Sequence, residues 1–506
     1  MYEDQTSPEH HNYSGMTEED IPTSSRFRNC LFLVITVLLV ITLAGSSILT
    51  YFIVAGRNDV TVSTTQAELP DLQPQTTNLP TQPPVSTISP SSENSAAIAE
   101  ALPTPLDVNR IVFVNGDKQI ETISPDGDDR RILSASSDDR SYLFPAWSSD
   151  GLRLAAIGSR REGSGIYIFG DNSMATPSSG QELYYSANEA PFYLYWSPDS
   201  TTLAFLANQP RNTIGLNIVR SDGRSESRLL ATGSPLYWDW DASSRQLLVH
   251  SGQRNARDVL AVIDLDENTQ TDNLASPGTF QAPGIGPEGR YWAYAEEIAG
   301  SLSTLAILDT LTGERRQYDQ AGSLALSWSP ARNQIAFTNG AVNGHPLWGP
   351  LYLLDVASGE TRTLTRRTVI AFFWSPDGQS IAFITLNNNQ NDEDVNVNAP
   401  SKPRTVSRVG LPAQQPDRGF LTLSIVDIAS GSGLRLVDFV PTPTFVAQFL
   451  PYFDQYALSH RIWSPDSSAI VLPVREDGLD VILIIPTNGG RPYRLAEGDV
   501  AFWSHQ

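Results

Sequence analysis

Four acidic side chains recur at one place in a repeated motif. Asp150, Asp199, Asp377 and Asp466 each lie three residues after a tryptophan, in Trp-Ser-Ser-Asp or Trp-Ser-Pro-Asp. A ring of carboxylates set by a repeat could hold a cation or move protons. The same position is where a β-turn favours Asp, because its carboxylate accepts hydrogen bonds from the backbone just beyond it. That turn role accounts for all four. The six histidines are His10 and His11, then His250, His345, His460 and His505, and none has the spaced companions of a metal site. The run Asn391-Asp392-Glu393-Asp394 lacks the glycine and terminal glutamate of an EF-hand loop. There is no Gly-x-Ser-x-Gly elbow, and the nearest run, Gly431-Ser432-Gly433, belongs to a hairpin turn. Cys30 is the only cysteine, which excludes an internal disulfide and a cysteine-built zinc site. No catalytic residue, cofactor or metal is expected.

Binding is the remaining chemistry, and two groups of residues suit it. Arg160 and Arg161, Arg211, and Arg254 with Arg257 fall in corresponding loops of three successive repeats. The chain carries 34 basic and 56 acidic residues, a formal charge of −22. A local basic arc on such a protein would attract and orient an anionic partner, whereas the overall balance argues against nucleic acid. The second group is aromatic: Phe445, Phe449, Tyr452 and Phe453 crowd one stretch, which reads as a short helix broken at Pro451 that caps a central channel or meets a partner.

These residues need a scaffold, and a repeat supplies it. The anchors Trp147, Trp196, Trp240, Ile285, Trp328, Trp374, Trp463 and Trp503 follow one another at a period in the forties, apart from one 89-residue interval between Trp374 and Trp463. Most begin a tight turn and a second apolar run, as in Trp374-Ser375-Pro376-Asp377-Gly378 before 380–384. Proline presets the turn and glycine relaxes its exit. Each period carries four short strands, and a period of this length with several strands marks a β-propeller. Residues 110–133 provide strands two to four of a unit lacking its first strand, and 499–504 provide a first strand lacking the rest. Their pairing closes the ring and removes open edges. The expected fold is all-β, an eight-bladed β-propeller over 110–506 with insertions at 386–419 and 438–459. The short Asp-rich turns belong to one face and both insertions to the other, where binding is expected.

Trp-Ser-Pro-Asp-Gly followed by a Leu/Ile-Ala-Phe strand resembles the TolB-like, or WD-like, propeller repeat, found also in the propellers of dipeptidyl peptidase IV and prolyl oligopeptidase relatives. The resemblance covers about 110–506 and implies the fold. For function it implies a scaffold, partner platform or gate, with no shared catalytic residue to transfer. The hydrolase domain of the peptidase relatives has no counterpart in the chain.

Residues 1–29 are polar and acidic and read as a disordered cytoplasmic tail. Residues 30–54 are apolar and free of charge, long enough as a helix (roughly 37 Å) to cross a bilayer with some tilt. Arg26 and Arg28 on the N-terminal side, against Arg57 beyond, place the tail in the cytoplasm and the propeller outside the cell membrane, in the periplasm or at the cell surface. Residues 55–109, rich in Thr, Ser and Pro, read as a linker. Function is therefore expected to be a membrane-anchored, non-enzymatic scaffold for a protein, peptide or anionic envelope polymer. The alternative is a propeller hydrolase or lyase acting on a glycan or ester near the central channel.

Overall fold

The computed structural model describes Thr76–Asn78 and most of 109–505; residues 135–138, 171–176, 211–212, 254–257, 279–281, 300–301, 323, 341–346, 387–406 and 409–420 lie outside the described set. The described residues all belong to one compact unit. The expected tail and membrane helix, 1–54, lie outside them. Among the described residues no helix is long and apolar enough to cross a membrane. Within the stretch expected to be a linker, Thr76–Asn78 forms a short strand antiparallel to Thr269–Ala275.

Strands dominate, in antiparallel meanders whose inner faces are apolar. Four-stranded meanders occupy 141–186, 191–233 and 284–322, and 236–275 forms another, extended by Thr76–Asn78. Between 324 and 439 two meanders fuse into one sheet because Thr361–Trp374 runs unbroken. Its first part pairs with Gly349–Asp355 and its second with Ser380–Leu386. Strands Ala469–Glu476, Leu479–Pro486 and Tyr493–Glu497 follow, their first strand reduced to the bridge Trp463↔Ile470. In the last sheet Val500–Trp503 lies beside Ile111–Val114, with Ile111 opposite Trp503 and Val114 opposite Val500. The first and last parts of the repeat array thus complete each other's sheet, as the partial end-repeats require. Repeated meanders closed by such a terminal pair are the elements of a β-propeller.

Two devices join one sheet to the next. The first is the anchor indole, which reaches back to a backbone carbonyl of the preceding sheet. Trp147 Nε1 donates to Phe502 O at 3.2 Å, and Trp196 Nε1 to Ala146 O at 3.1 Å. Trp374 Nε1 donates to Ser327 O and Trp463 Nε1 to Phe373 O, both at 3.1 Å. In every case the acceptor is the residue just before the preceding anchor. Trp503 differs, donating to Asn109 Oδ1 at 2.9 Å.

The second device lies in the turns. Ser197 Oγ donates to Asp199 Oδ1 at 2.6 Å while accepting from Thr202 N at 3.0 Å, and the Ser148, Ser375 and Ser464 turns repeat both bonds. The turn aspartates therefore serve the turns themselves. The residue four positions after the anchor adopts positive φ, 66° at Gly378 but also 60° at Ser200, 64° at Ser244 and 62° at Ser467. Serine is strained there relative to glycine, and its hydroxyl explains its presence. Ser200 Oγ accepts from Asp150 N, Ser244 Oγ from Asp199 N, and Ser467 Oγ from Asp377 N, each across a sheet boundary. At Gly378 a Cβ would come within 2.8 Å of Ser329 Oγ and 2.9 Å of Ala331 Cβ, so that boundary admits only glycine without a shift.

Ser200→Ala keeps the strain and loses the bond, so it should destabilise by about 1 kcal/mol. Ser200→Gly loses the bond but relieves strain of similar size, about 1 kcal/mol, and should cost distinctly less. Urea melts of both variants measure the difference, and equal losses would show that the hydroxyl bridge is not the reason for serine. Removing 499–506 should lower the melting temperature far more than trimming a frayed end, because it exposes the edge of Ile111–Val114.

Candidate functional site

First strands of several sheets converge on an axis, and the insertion after Phe439 fills one part of it. The expected boundary shifts slightly: Asp438 and Phe439 still belong to strand Gly433–Phe439, and the helical part comprises Phe445–Phe449, Leu450–Tyr452 and Phe453–Ser459. The aromatic rings expected to meet a partner are mostly turned inward. Phe445, Phe449 and Phe453 are essentially fully buried, and only Tyr452, at 48%, is exposed. Phe449 stacks on Phe445 and on Phe502, with centroids 4.8 and 5.7 Å apart, and Phe453 meets Phe372 at 5.1 Å.

Polar contacts fix the same segment. Gln455 completes an otherwise bare strand edge: its Oε1 accepts from Trp238 N at 3.1 Å and its Nε2 donates to Trp238 O at 3.0 Å. Ser459 Oγ lies 2.6 Å from His460 Nδ1 and 2.7 Å from Tyr193 Oη, and His460 Nε2 is 3.3 Å from Phe144 O. With Nε2 protonated toward the carbonyl, Nδ1 accepts the serine proton. Burial drives the His460 pKa down to about 3, so the ring is neutral at physiological pH. This serine and histidine resemble a nucleophile and base only by distance. Both are buried, and their bonds tie the helix to the channel wall.

Beyond the helix a cavity of about 370 Å³ remains. Asp454, Ala457, Leu458 and His460 line its inner part, and Trp240, Trp328, Trp374 and Trp463 its sides. Ala242, Pro287, Pro330 and Pro376, all in first-to-second turns, line it as well. It thus extends toward the short-turn face, opposite the insertions. Trp328 and Trp374 are only partly buried, unlike Trp147 and Trp196. The buried Nε1 atoms of Trp240 and Trp328 have no hydrogen-bond partner, so the indole bridge lapses at two anchors that border the cavity.

Three ionisable side chains in the wall stand out. Asp239 accepts from Trp240 N and Ile285 N, both at 2.9 Å, yet burial outweighs these bonds and pushes its pKa up to about 7. Asp454 accepts from Ala282 N at 3.1 Å and Gln455 N at 3.0 Å, and burial raises it too. Arg461 donates Nη1 to His505 O at 3.0 Å, and burial lowers its pKa. The neighbouring His505 falls to about 3, chiefly through burial and then through the Arg461 charge.

No family model matches the chain, and no curated protein sequence matches it. Among solved structures it is similar to TolB from Acinetobacter baumannii, with 16% identity over 72% of this chain and 82% of that one and a TM-score of 0.35. It is similar also to an oligogalacturonate lyase in complex with manganese, with 13% identity, coverage of 79% and 85%, and a TM-score of 0.40. The β-propeller domain of the Trilobed protease from Pyrococcus furiosus shows 11% identity, coverage of 71% and 99%, and a TM-score of 0.39. At these values the likenesses carry no assignment of activity, ligand or partner.

Of the expected basic arc, only Arg160 and Arg161 are described; Arg211, Arg254 and Arg257 lie outside the described residues. Arg161 is exposed, and Arg160 lies 4.9 Å from the Tyr185 ring centroid and 3.9 Å from Glu162. The Asn391–Asp394 run and His345 are also outside the described set, and among the described residues no His, Cys, Asp and Glu side chains group as a metal site. Asp239 and Arg461 escaped the sequence reading, although a signal existed. Counting back from each anchor, Asp239 is the only charged residue one position before it, where Ala146, Tyr195 and Ser327 stand elsewhere. Arg461 is the only one two positions before, where Leu194, Leu326 and Phe372 stand.

The raised Asp239 pKa has a thermodynamic sign. Between the ordinary value of 3.8 and about 7 the folded state keeps a proton that the unfolded chain has released. Its contribution is complete below about pH 4 and lost as pH rises through about 7. His460 and His505 act oppositely: their contribution is present above about pH 6.5 and lost as pH falls toward 3. The stability of Asp239→Asn relative to the native chain should therefore climb with pH between about 4 and 7, by at most about 1.4 kcal/mol per unit. Parallel stability profiles from urea melts across that range would contradict it.

Proposed function

We propose that the chain is an eight-bladed β-propeller that acts as a membrane-anchored, extracytoplasmic binding scaffold rather than as an enzyme. Eight blades follow from counting the fused sheet as two and the bridge at Trp463 as the first strand of a reduced one. The observation that carries the scaffold reading is the half-filled axis. Its acids are each held by two backbone amides, its serine and histidine are sealed, and a tryptophan-walled cavity is left toward the short-turn face. Such a concave space, with indole walls and a few ionisable groups turned toward it, suits recognition. The partner class is a protein, a peptide or an anionic envelope polymer.

One observation favours a second reading, a hydrolase or lyase acting on a glycan or ester. Asp239 and Asp454 line one cavity and both have raised pKa values, a common property of acid catalysts. Their exposures of only 6% and 4% weigh against it. Turnover of a glycan or ester that vanishes in Asp239→Asn would establish this activity.

Two competing surfaces can be separated in one experiment. Ala242→Trp, at an exposed turn position on the cavity wall, should abolish capture of the partner from crosslinked cell envelopes. A triple change of Arg160, Arg211 and Arg254 to Ala should weaken capture only if the basic arc is the contact. Capture unaffected by either change would reject both surfaces. For the anchored topology, protease added to intact cells or spheroplasts should release a soluble fragment cut between 55 and 109. Protection of the propeller would reverse the orientation.

A further inference from the structure

The cavity wall contains a cation with no carboxylate side chain beside it among the described residues. Arg461 lines the cavity, and among the described residues no carboxylate lies within ion-pair distance of its guanidinium. Its single hydrogen bond is the one from Nη1 to His505 O. The remaining guanidinium nitrogens are neither bonded nor sealed from space. Arg461 is half-buried, and holding a charge partly out of water without a counter-ion is costly, so replacing such a group by an apolar one is often neutral or stabilising. A residue kept against that cost, at a repeat position that otherwise holds Leu194, Leu326 or Phe372, points to a ligand that supplies the missing charge.

We infer that the cavity binds a carboxylate, with Arg461 as its counter-ion and the partly open Trp328 and Trp374 rings against an apolar or aromatic body. The inference rests on the reading of the cavity as a binding site and specifies its chemistry. A carboxylate fits better than a phosphate dianion for two reasons. Among the described residues of the lining Arg461 is the only Lys or Arg, while Asp239 and Asp454 share the same walls. The planar guanidinium also presents parallel donors that match the two oxygens of a carboxylate. A cavity of about 370 Å³ lies at the small end of ligand sites, suited to one ring and a short acid chain. The carboxylate belongs either to a free acid or to the C-terminal end of a partner chain.

Calorimetric titration of the full-length chain, purified in mild detergent, tests this with 3-phenylpropanoate and its neutral amide. Ala-Ala-Phe with a free or an amidated C-terminus forms a second pair. In at least one pair the acid should bind at least tenfold more tightly than the amide, and the pair with the tighter acid identifies the source. Arg461→Met should abolish that preference without lowering the melting temperature, and Arg461→Lys should reduce but not abolish it. Equal affinity of acid and amide in both pairs, no binding by either acid, or a preference that survives in Arg461→Met would each overturn the inference. A lowered melting temperature in Arg461→Met with the preference retained in Arg461→Met would make the arginine a structural residue. The scaffold reading fails separately. If Ala242→Trp loses the envelope partner while no acid preference exists, the cavity binds a partner but Arg461 is not its anchor. If the acid preference holds while Ala242→Trp captures normally, the acid site stands and the partner-binding reading falls.

Discussion

A single bond type, indole N–H to backbone carbonyl, sets how one sheet lies against the next at four of the anchors. A meander can satisfy its inner ladder by itself, but its faces are apolar and indifferent to the angle of the neighbouring sheet. The anchor tryptophan removes that freedom. It buries a large ring between two sheets and aims its one donor at a carbonyl just before the preceding anchor. The serine hydroxyls at positive φ make the matching bond at the turns. Where both contacts occur, between the Trp147 and Trp196 sheets and between the Trp374 and Trp463 sheets, one lies deep and one at the rim, and together they fix spacing and tilt. Val500–Trp503 then pairs with Ile111–Val114 and joins the last repeat to the first.

The cavity sits where that pattern weakens. Trp240 and Trp328 leave their indole donors unpaired, and between them the anchor slot holds Ile285, preceded by Pro283 and Gly284. With no ring at that slot, space opens along the axis. The aromatic insertion fills the other part, and its Gln455, Ser459 and His460 take up polar groups that an inner strand edge would otherwise bury unsatisfied. What remains is a low-dielectric space in which ordinary side chains behave unusually. Asp239 holds its proton to near-neutral pH, His460 stays neutral, and Arg461 has no carboxylate beside it among the described residues. Recognition of an apolar body with one charged end requires little more.

Much of this architecture was legible in the sequence because it is local and repeated. The Trp-Ser-Pro-Asp spacing fixes a hairpin through backbone preferences that act within a few residues, and repetition multiplies a weak signal. Partial repeats at the two ends required the terminal pairing for the same reason: an unpaired strand edge is costly wherever it lies. The turn role of Asp150, Asp199, Asp377 and Asp466 also followed from local chemistry alone.

The site was decided by tertiary structure. Whether Phe445, Phe449 and Phe453 face a partner or the channel depends on where a long insertion returns, which no local preference determines. Once those rings occupy the axis, the remaining opening lies toward the short turns rather than toward the insertion face where binding was expected. Asp239 and Arg461 were visible as charges in apolar repeat positions, yet their meaning comes from burial. A carboxylate or guanidinium acquires a shifted pKa or an unmet charge only when neighbouring sheets exclude water from it, and those neighbours lie as far apart in sequence as Trp240 and Trp463.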